Sequence, residues 1–126
     1  MSLVRIKGTT KRNKGNGRKL GYPTANIQSA TRLKDGVYFG FASLASYQRW
    51  PALIFIGTPT TLGDKTRRVE AHLLDIEDED YYGLDIQIEP IHFHRPNQTF
   101  DSTRNLVSAM KRDEIAGRKW FKSQKK

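Results

Sequence analysis

The sequence predicts a mainly β fold, in which five or six antiparallel strands close into a barrel and one helix follows at the C-terminal end. Two observations predict it. Strand-like segments, alternating in polarity or rich in β-branched and aromatic residues, fill the first three quarters of the chain and are joined by links without a helix-length periodic segment. Only the last quarter changes to helical spacing. Links of this kind favour an antiparallel barrel over a parallel sheet.

The strands follow one another between glycine-rich and polar turns. The first alternates apolar and polar residues, which is typical of a half-buried strand, and the third and fourth have the pattern of a hairpin. Pro51 places the start of the fourth strand at an edge or at its first residue. The strands are expected, in chain order, at residues 4–10, 24–27, 36–45, 50–56, 68–75 and 84–93.

The C-terminal helix is predicted from Leu106, Val107 and Met110, which recur at helical spacing. Asp101 or Ser102 is suited to cap its first turn. We expect a break near Gly117, with the helix continuing beyond it. The helix should pack on the barrel and close one end.

Composition narrows the class of protein. At 126 residues the chain is expected to form one domain, residues 1–126, with frayed extreme ends. The absence of cysteine excludes disulfides and thiolate metal sites and fits a cytoplasmic location, and no apolar run has membrane-spanning length. The net charge of +9 favours an anionic partner without distinguishing nucleic acid from nucleotide.

A glycine-rich basic loop precedes the second predicted strand. The amides around Gly15, Gly17 and Gly21 can turn toward an anion because no side chain stands in the way. Arg18 and Lys19 add positive charge beside them. The loop therefore predicts a phosphate site; the alternative is a flexible basic connection that binds nothing specific.

Thr24 and Asn26 follow this loop and lie two residues apart on an extended segment, so their side chains share a face. Their neutral oxygens are of the type that Mg²⁺ accepts, and Mg²⁺ usually arrives with substrate phosphates. Pro23 favours extended backbone before it, which argues against the loop-to-helix geometry of the common nucleotide-binding glycine motifs. The sequence thus predicts a phosphate and magnesium site formed by a loop joined to a strand.

Glu70 and His72 occupy alternate positions of the fifth predicted strand and should share a face. A glutamate is unfavourable within a strand, so its presence there suggests a function. The alternative is a surface glutamate paired with His72 or Arg68. His92 and His94 also share a face, but the sequence supplies no familiar third ligand for zinc.

Three blocks stand in order along the chain. They are Gly-Arg-Lys-Leu-Gly-Tyr-Pro-Thr-Ala-Asn at 17–26, Val-Glu-Ala-His-Leu-Leu-Asp at 69–75 with Asp-Tyr-Tyr-Gly at 80–83, and Arg-Pro at 95–96 with Phe-Asp-Ser at 100–102. Together they resemble the riboflavin kinase family, the ATP-using bacterial and eukaryotic type, over residues 8–118. The resemblance implies a six-stranded antiparallel Greek-key barrel with a C-terminal α-helix packed on it. It also implies transfer of the γ-phosphate of ATP to the 5′-hydroxyl of riboflavin, giving FMN.

Matched position by position, the resemblance implies that Thr24 and Asn26 bind Mg²⁺ and phosphate and that Glu70 is the catalytic carboxylate. A carboxylate there can take the proton of the acceptor hydroxyl as general base. The glycine loop matches the flap over the nucleotide. The segment around Arg95 to Asp101, with the start of the last helix, matches the part that closes on the flavin.

The sequence departs from the family pattern at a few positions. The family usually has valine at Thr10 and glycine at Asn13, and often asparagine at Phe55, which leaves one polar contact near the nucleotide or flavin open. The adenylyltransferase domain that commonly precedes the barrel in bacteria is absent from this sequence. We therefore expect a free-standing kinase or an excised domain, monomeric, with neither a membrane nor a nucleic acid as partner.

Two other functions remain open from the sequence. The basic charge motivates a flavin-binding regulator with an RNA-binding surface, in which catalysis is secondary or lost. RNA-binding proteins of barrel type usually display aromatic side chains on an exposed strand face. The aromatic residues here lie instead in strands whose pattern is that of a core. The other alternative is a kinase for a different small alcohol.

Overall fold

Six strands and one helix form the computed structural model, which describes residues 4–11, 25–27, 31–58, 65–77 and 81–124. The elements are β1 (Ile6–Thr9), β2 (Ala25–Ile27), β3 (Gly36–Leu44), β4 (Tyr47–Gly57), β5 (Arg68–Leu73), β6 (Asp85–Arg95) and α1 (Thr103–Gln124). The predicted mainly β fold with one C-terminal helix is confirmed.

The strands pair in the order β1-β6-β3-β4-β5-β2, and every pair is antiparallel. Strands β3, β4 and β5 are consecutive neighbours and β6 returns to lie beside β3, which is the Greek-key arrangement. The two edges of the sheet meet where the amide of Lys11, just after β1, donates to the carbonyl of Asn26 in β2 at 2.8 Å. The sheet therefore forms a nearly closed barrel, as predicted.

Alternate side chains fill the inside of the barrel, because successive residues of a strand point to opposite faces. Among the described residues, those at most 1% exposed are Ile27, Ala42, Leu44, Ala52, Ile54, Ile56, Val69, Ala71 and Ile88. Their neighbours along β2, β4 and β5 consequently face outward.

Helix α1 begins as the sequence predicts, since the Ser102 hydroxyl accepts the Asn105 amide at 3.1 Å. The helix packs on the outer face of β3 and β4, where Phe39, Leu53, Leu74 and Phe121 form a second apolar cluster. The sequence predicts that the helix closes one end of the barrel. It instead covers the barrel wall, because Phe39 and Leu53 point outward and pack against it. In the described part of the chain, no helix is both long and apolar enough to cross a membrane.

The predicted break near Gly117 is wrong, because α1 continues through it to Gln124. Gly117 lies in the contact between helix and barrel. A Cβ there would stand 2.6 Å from Cδ2 of Leu53 and 3.2 Å from the ring of Phe39. Glycine at this position therefore allows close packing and does not end the helix.

The start of the fourth strand is also corrected. β4 begins at Tyr47, so Pro51 lies inside it and opposite Phe41 of β3. The last ladder pair of β4 with β5 joins Ala52 to Leu73. Pro51 thus lies just beyond this ladder, so the N–H that proline lacks removes no ladder hydrogen bond to β5.

Candidate active site

One row of side chains crosses five of the six strands on the outer face of the barrel. The register places Val37 opposite both Arg95 and Phe55, and Glu70 opposite both Phe55 and Asn26. Directly opposed residues of an antiparallel sheet share a face, so these five side chains form one line. We call it the cross-strand row. Four strand spacings make it roughly 19 Å long.

Glu70 and Asn26 are adjacent in this row, although they lie far apart in sequence. Opposed residues bring their Cβ atoms to about 5 Å from each other. The backbone partners that alternate with them, Ala25 and Ala71, point into the barrel and are at most 2% exposed. The fold therefore brings together the carboxylate and the amide that the sequence singles out.

Asn26 lies at the seam of the barrel and is 4% exposed. The backbone carbonyl of Asn26 accepts a hydrogen bond from the amide of Lys11, and the side-chain nitrogen of Asn26 lies 3.4 Å from the carbonyl oxygen of Lys11. These contacts fix the backbone of a strand only three residues long. The side-chain oxygen of Asn26 supplies the acceptor chemistry that a hard cation or a phosphate-bound metal requires.

Glu70 is partly buried, with its side chain 20% exposed. His72 shares its face, as the sequence predicts, and its Nε2 lies 3.9 Å from Oε2 of Glu70. This separation is too long for a hydrogen bond but short enough for the imidazole to limit where the carboxylate can turn. His72 lies opposite Leu53, which belongs to the cluster under α1.

Arg95 ends the cross-strand row and connects β6 to the helix. Its Nε and Nη2 each donate to a carboxylate oxygen of Asp113 at 2.8 Å, and its Nη1 donates to the carbonyl of Pro96 at 3.1 Å. His94 adds a third contact to this carboxylate, with Nε2 3.4 Å from Oδ1. Asp113 is 5% exposed, and a buried carboxylate needs partners of this kind.

The sequence reasoning missed Asp113. The available signal was its position on the stripe formed by Ala109, Gly117 and Phe121, which recur every fourth residue and face the barrel. A carboxylate within such a stripe requires a cationic partner. Which strand supplies that partner depends on the fold, so the pattern alone could not identify Arg95.

Asp101 lies just before the helix and is exposed. Its Oδ1 accepts a hydrogen bond from the side-chain amide of Asn105 at 2.6 Å, which is a local contact at the helix start. Nearby, the guanidinium of Arg95 lies 6.0 Å from the centroid of the Phe100 ring. Asp101 therefore follows directly after Phe100, which lies near the Arg95 end of the row.

The glycine loop lies outside the described residues. The predicted ligands that fall there are Gly15, Gly17, Arg18, Lys19, Gly21, Pro23 and Thr24. The loop leads directly into β2, so its last residue is two positions before Asn26. Their roles stay predictions.

The histidines on β6 take part in packing. The rings of His92 and His94 stack on Phe39 at centroid distances of 5.8 and 4.5 Å, and His92 also stacks on Trp120 at 5.7 Å. Across the described ranges no group of three or more His, Cys, Asp or Glu side chains is arranged to hold a metal ion.

Comparisons with known proteins agree with this architecture. The family model described as "Flavokinase: Riboflavin kinase" matches residues 2–121. The chain is 35% identical over 124 residues to the trifunctional protein RibF/MnmA of Mycoplasmoides gallisepticum, covering 96% of this chain and 19% of that protein. It is 30% identical over 114 residues to human riboflavin kinase, covering 85% and 74% of the two chains.

A solved structure shows the same fold. The crystal structure of riboflavin kinase from Trypanosoma brucei superposes with a TM-score of 0.70 at 21% identity, covering 98% of this chain and 84% of that one. At this identity the likeness concerns the fold.

Proposed function

This chain belongs to the riboflavin kinase family, and we propose that it transfers the γ-phosphate of ATP to the 5′-hydroxyl of riboflavin, forming FMN and ADP. The observation that carries the proposal is the pairing of Glu70 with Asn26 across β5 and β2. This pairing supports the proposal, because it sets a carboxylate that can accept a proton beside an amide that can bind the phosphate end of a nucleotide.

In the proposed reaction, the riboflavin hydroxyl oxygen forms a bond to the γ-phosphorus while the bond from that phosphorus to the β,γ-bridging oxygen breaks. Glu70 takes the hydroxyl proton, and ADP leaves with the bridging oxygen. Phosphoryl transfer depends mainly on positioning and on electrostatic stabilisation. Glu70 needs only to orient the alcohol and accept its proton, and His72 limits the positions that the carboxylate can adopt.

The donor atoms at the phosphate end suit magnesium. Asn26 offers a neutral oxygen beside a carboxylate, and Mg²⁺ prefers oxygen ligands and keeps several waters. We propose that Thr24 and Asn26 hold it. When bound, the ion would neutralise charge on the transferring phosphate. The amides of the glycine loop, with Arg18 and Lys19, would bind the remaining phosphates.

We further propose that the segment from Arg95 to Asp101 borders the flavin. Arg95 ends the row on the side remote from Asn26, and Asp101 follows within one short segment. The donors of Arg95 are directed to Asp113 and Pro96. Its part in the proposed function is therefore to hold this segment against the helix.

The RNA-binding regulator is not favoured. Tyr38 and Phe39 are buried at 7% and 2% exposure, and Phe41 packs against Phe121 with ring centroids 5.7 Å apart. These rings are unavailable as a platform on which bases could stack.

The direct test incubates the protein with riboflavin, ATP and Mg²⁺ and separates the flavins by chromatography. FMN should accumulate. Glu70→Gln should lower kcat by about two to four orders of magnitude, the usual scale for removing a general base. Glu114→Gln, on the helix and hydrogen-bonded to Arg118, serves as the control. No FMN from the parent, or an unchanged rate in Glu70→Gln, would overturn the respective assignment.

A further inference from the structure

The chemical character of the cross-strand row changes in order from one end to the other. Asn26 carries an amide, Glu70 a carboxylate, Phe55 an aromatic ring and Val37 an aliphatic side chain. Neighbouring strands lie about 4.8 Å apart. Phe55 is therefore the neighbour of Glu70 on the side away from Asn26.

This order determines the direction in which the acceptor alcohol extends along the row. The inference rests on the proposed function. In phosphoryl transfer the attacking and leaving oxygens lie roughly in line on opposite sides of the phosphorus. With the phosphate at Asn26 and the attacking hydroxyl at Glu70, the rest of the alcohol extends away from the phosphate. The next side chain it meets along the row is that of Phe55.

Phe55 differs from the other aromatics on this face of the barrel. Phe39 is 2% exposed beneath α1, and Phe41 packs on Phe121 and under the guanidinium of Arg49. Phe55 is only half-buried, and within the described part of the chain its ring has no contact with another aromatic ring or a cation. Part of the Phe55 side chain therefore stays exposed and can contact a ligand.

We propose that Phe55 determines specificity for the acceptor alcohol. Its ring packs against the apolar body of the alcohol whose hydroxyl meets Glu70. The site thereby selects a hydroxyl carried on a large planar or apolar group, such as a flavin, over small polyols. An aromatic side chain suits this role because it offers a large rigid contact area beside a polar group.

The test compares Phe55→Ala and Phe55→Leu with Phe41→Ala as the matched control. Phe41 is likewise a half-buried aromatic on the outer face, on the neighbouring strand and opposite Pro51. Riboflavin affinity is measured from the quenching of flavin fluorescence, without nucleotide. KM for riboflavin and for Mg·ATP is measured separately, and circular dichroism verifies folding.

Phe55→Ala should weaken riboflavin binding about tenfold, the scale seen when an aromatic contact is truncated, and should leave KM for Mg·ATP within about twofold. Phe55→Leu should retain most of the affinity, and Phe41→Ala should change it less than about twofold. Unchanged riboflavin affinity in Phe55→Ala, or equal weakening in Phe41→Ala or of Mg·ATP, overturns the proposal.

The outcomes separate this inference from the proposed function. A parent protein that binds riboflavin but forms no FMN overturns the kinase function, while the role of Phe55 is still decided by binding. A parent that forms FMN and a Phe55→Ala variant that binds riboflavin equally well overturn only the inference. A parent that does not bind riboflavin overturns both.

Discussion

The guanidinium of Arg95 and the carboxylate of Asp113 form a two-point ion pair, with both N–O distances at 2.8 Å. It joins the last residue of β6 to the middle of α1. Because Asp113 is 5% exposed, the pair lies largely out of water. Breaking such a pair on one side leaves a buried charge without compensation.

Asp113→Ala should therefore lower the free energy of unfolding by about 3 kcal/mol, the scale for removing one partner of a buried pair. Urea denaturation followed by circular dichroism measures it. The double variant Arg95→Met with Asp113→Leu should regain a large part of the loss, since neither charge remains. Equal destabilisation in the single and double variants would contradict this account.

Gly117→Leu tests close packing of the helix on the barrel. Leucine has a better helix propensity than glycine by roughly 0.8 kcal/mol, but its Cβ would meet Leu53 at 2.6 Å. Overpacking should dominate, and we expect a net loss of about 2 kcal/mol in the free energy of unfolding. Lys111→Leu on the exposed face of the same helix is the control, with an expected change below about 0.5 kcal/mol. A stabilised Gly117→Leu protein would show that the contact is loose.

His72→Gln tests whether the imidazole positions Glu70. We expect kcat for FMN formation to fall about tenfold, because the carboxylate gains freedom to turn, while KM for both substrates stays within about twofold. The control is His92→Gln. The His92 ring is exposed and stacks on Trp120, so this change should leave kcat unchanged. A fall in thermal stability that accounts for the loss of kcat would instead give His72 a merely structural role.

Asp75 gives a pH-dependent contribution to stability. The hydrogen bond from Arg118 lowers the pKa of this carboxyl below 3.8. The stabilisation is therefore complete above pH 3.8 and is lost as the pH falls through the lower pKa of the folded state. Since the Asp75 side chain is 68% exposed, the effect is small, about 0.5 kcal/mol.

Asp75→Asn isolates this effect, because asparagine also accepts the positive φ of 59° found at this position. Urea denaturation of parent and variant should differ by about 0.5 kcal/mol at pH 7 and converge near pH 2. A difference that stays constant over this range would assign it to a cause other than the charge.

The sequence predicts the parts of the fold that depend on local pattern. Period-2 alternation places Glu70 and His72 on one face, and Ser102 is suited to cap the helix; the structure shows both. The residue types that carry the proposed chemistry are also visible locally, since Asn26 and Glu70 lie in distinctive motifs.

What the sequence could not supply are relationships between distant segments. That β2 pairs with β5, which brings Asn26 opposite Glu70, depends on the order of strands around the barrel. The interpretation of Gly117 was wrong for the same reason. Taken locally, glycine ends helices, whereas its neighbours Leu53 and Phe39 come from strands more than sixty residues earlier.

The hydrogen bond between Lys11 and Asn26 has a consequence for how the barrel tolerates change. It joins the two ends of the segment 12–25, so the framework itself brings these ends together. Under the proposed function, in which this segment covers the nucleotide, a change in its length or composition would alter that cover while the amide of Asn26 kept its place opposite Glu70. Nucleotide preference and the chemical step could therefore diverge independently among proteins built on this barrel.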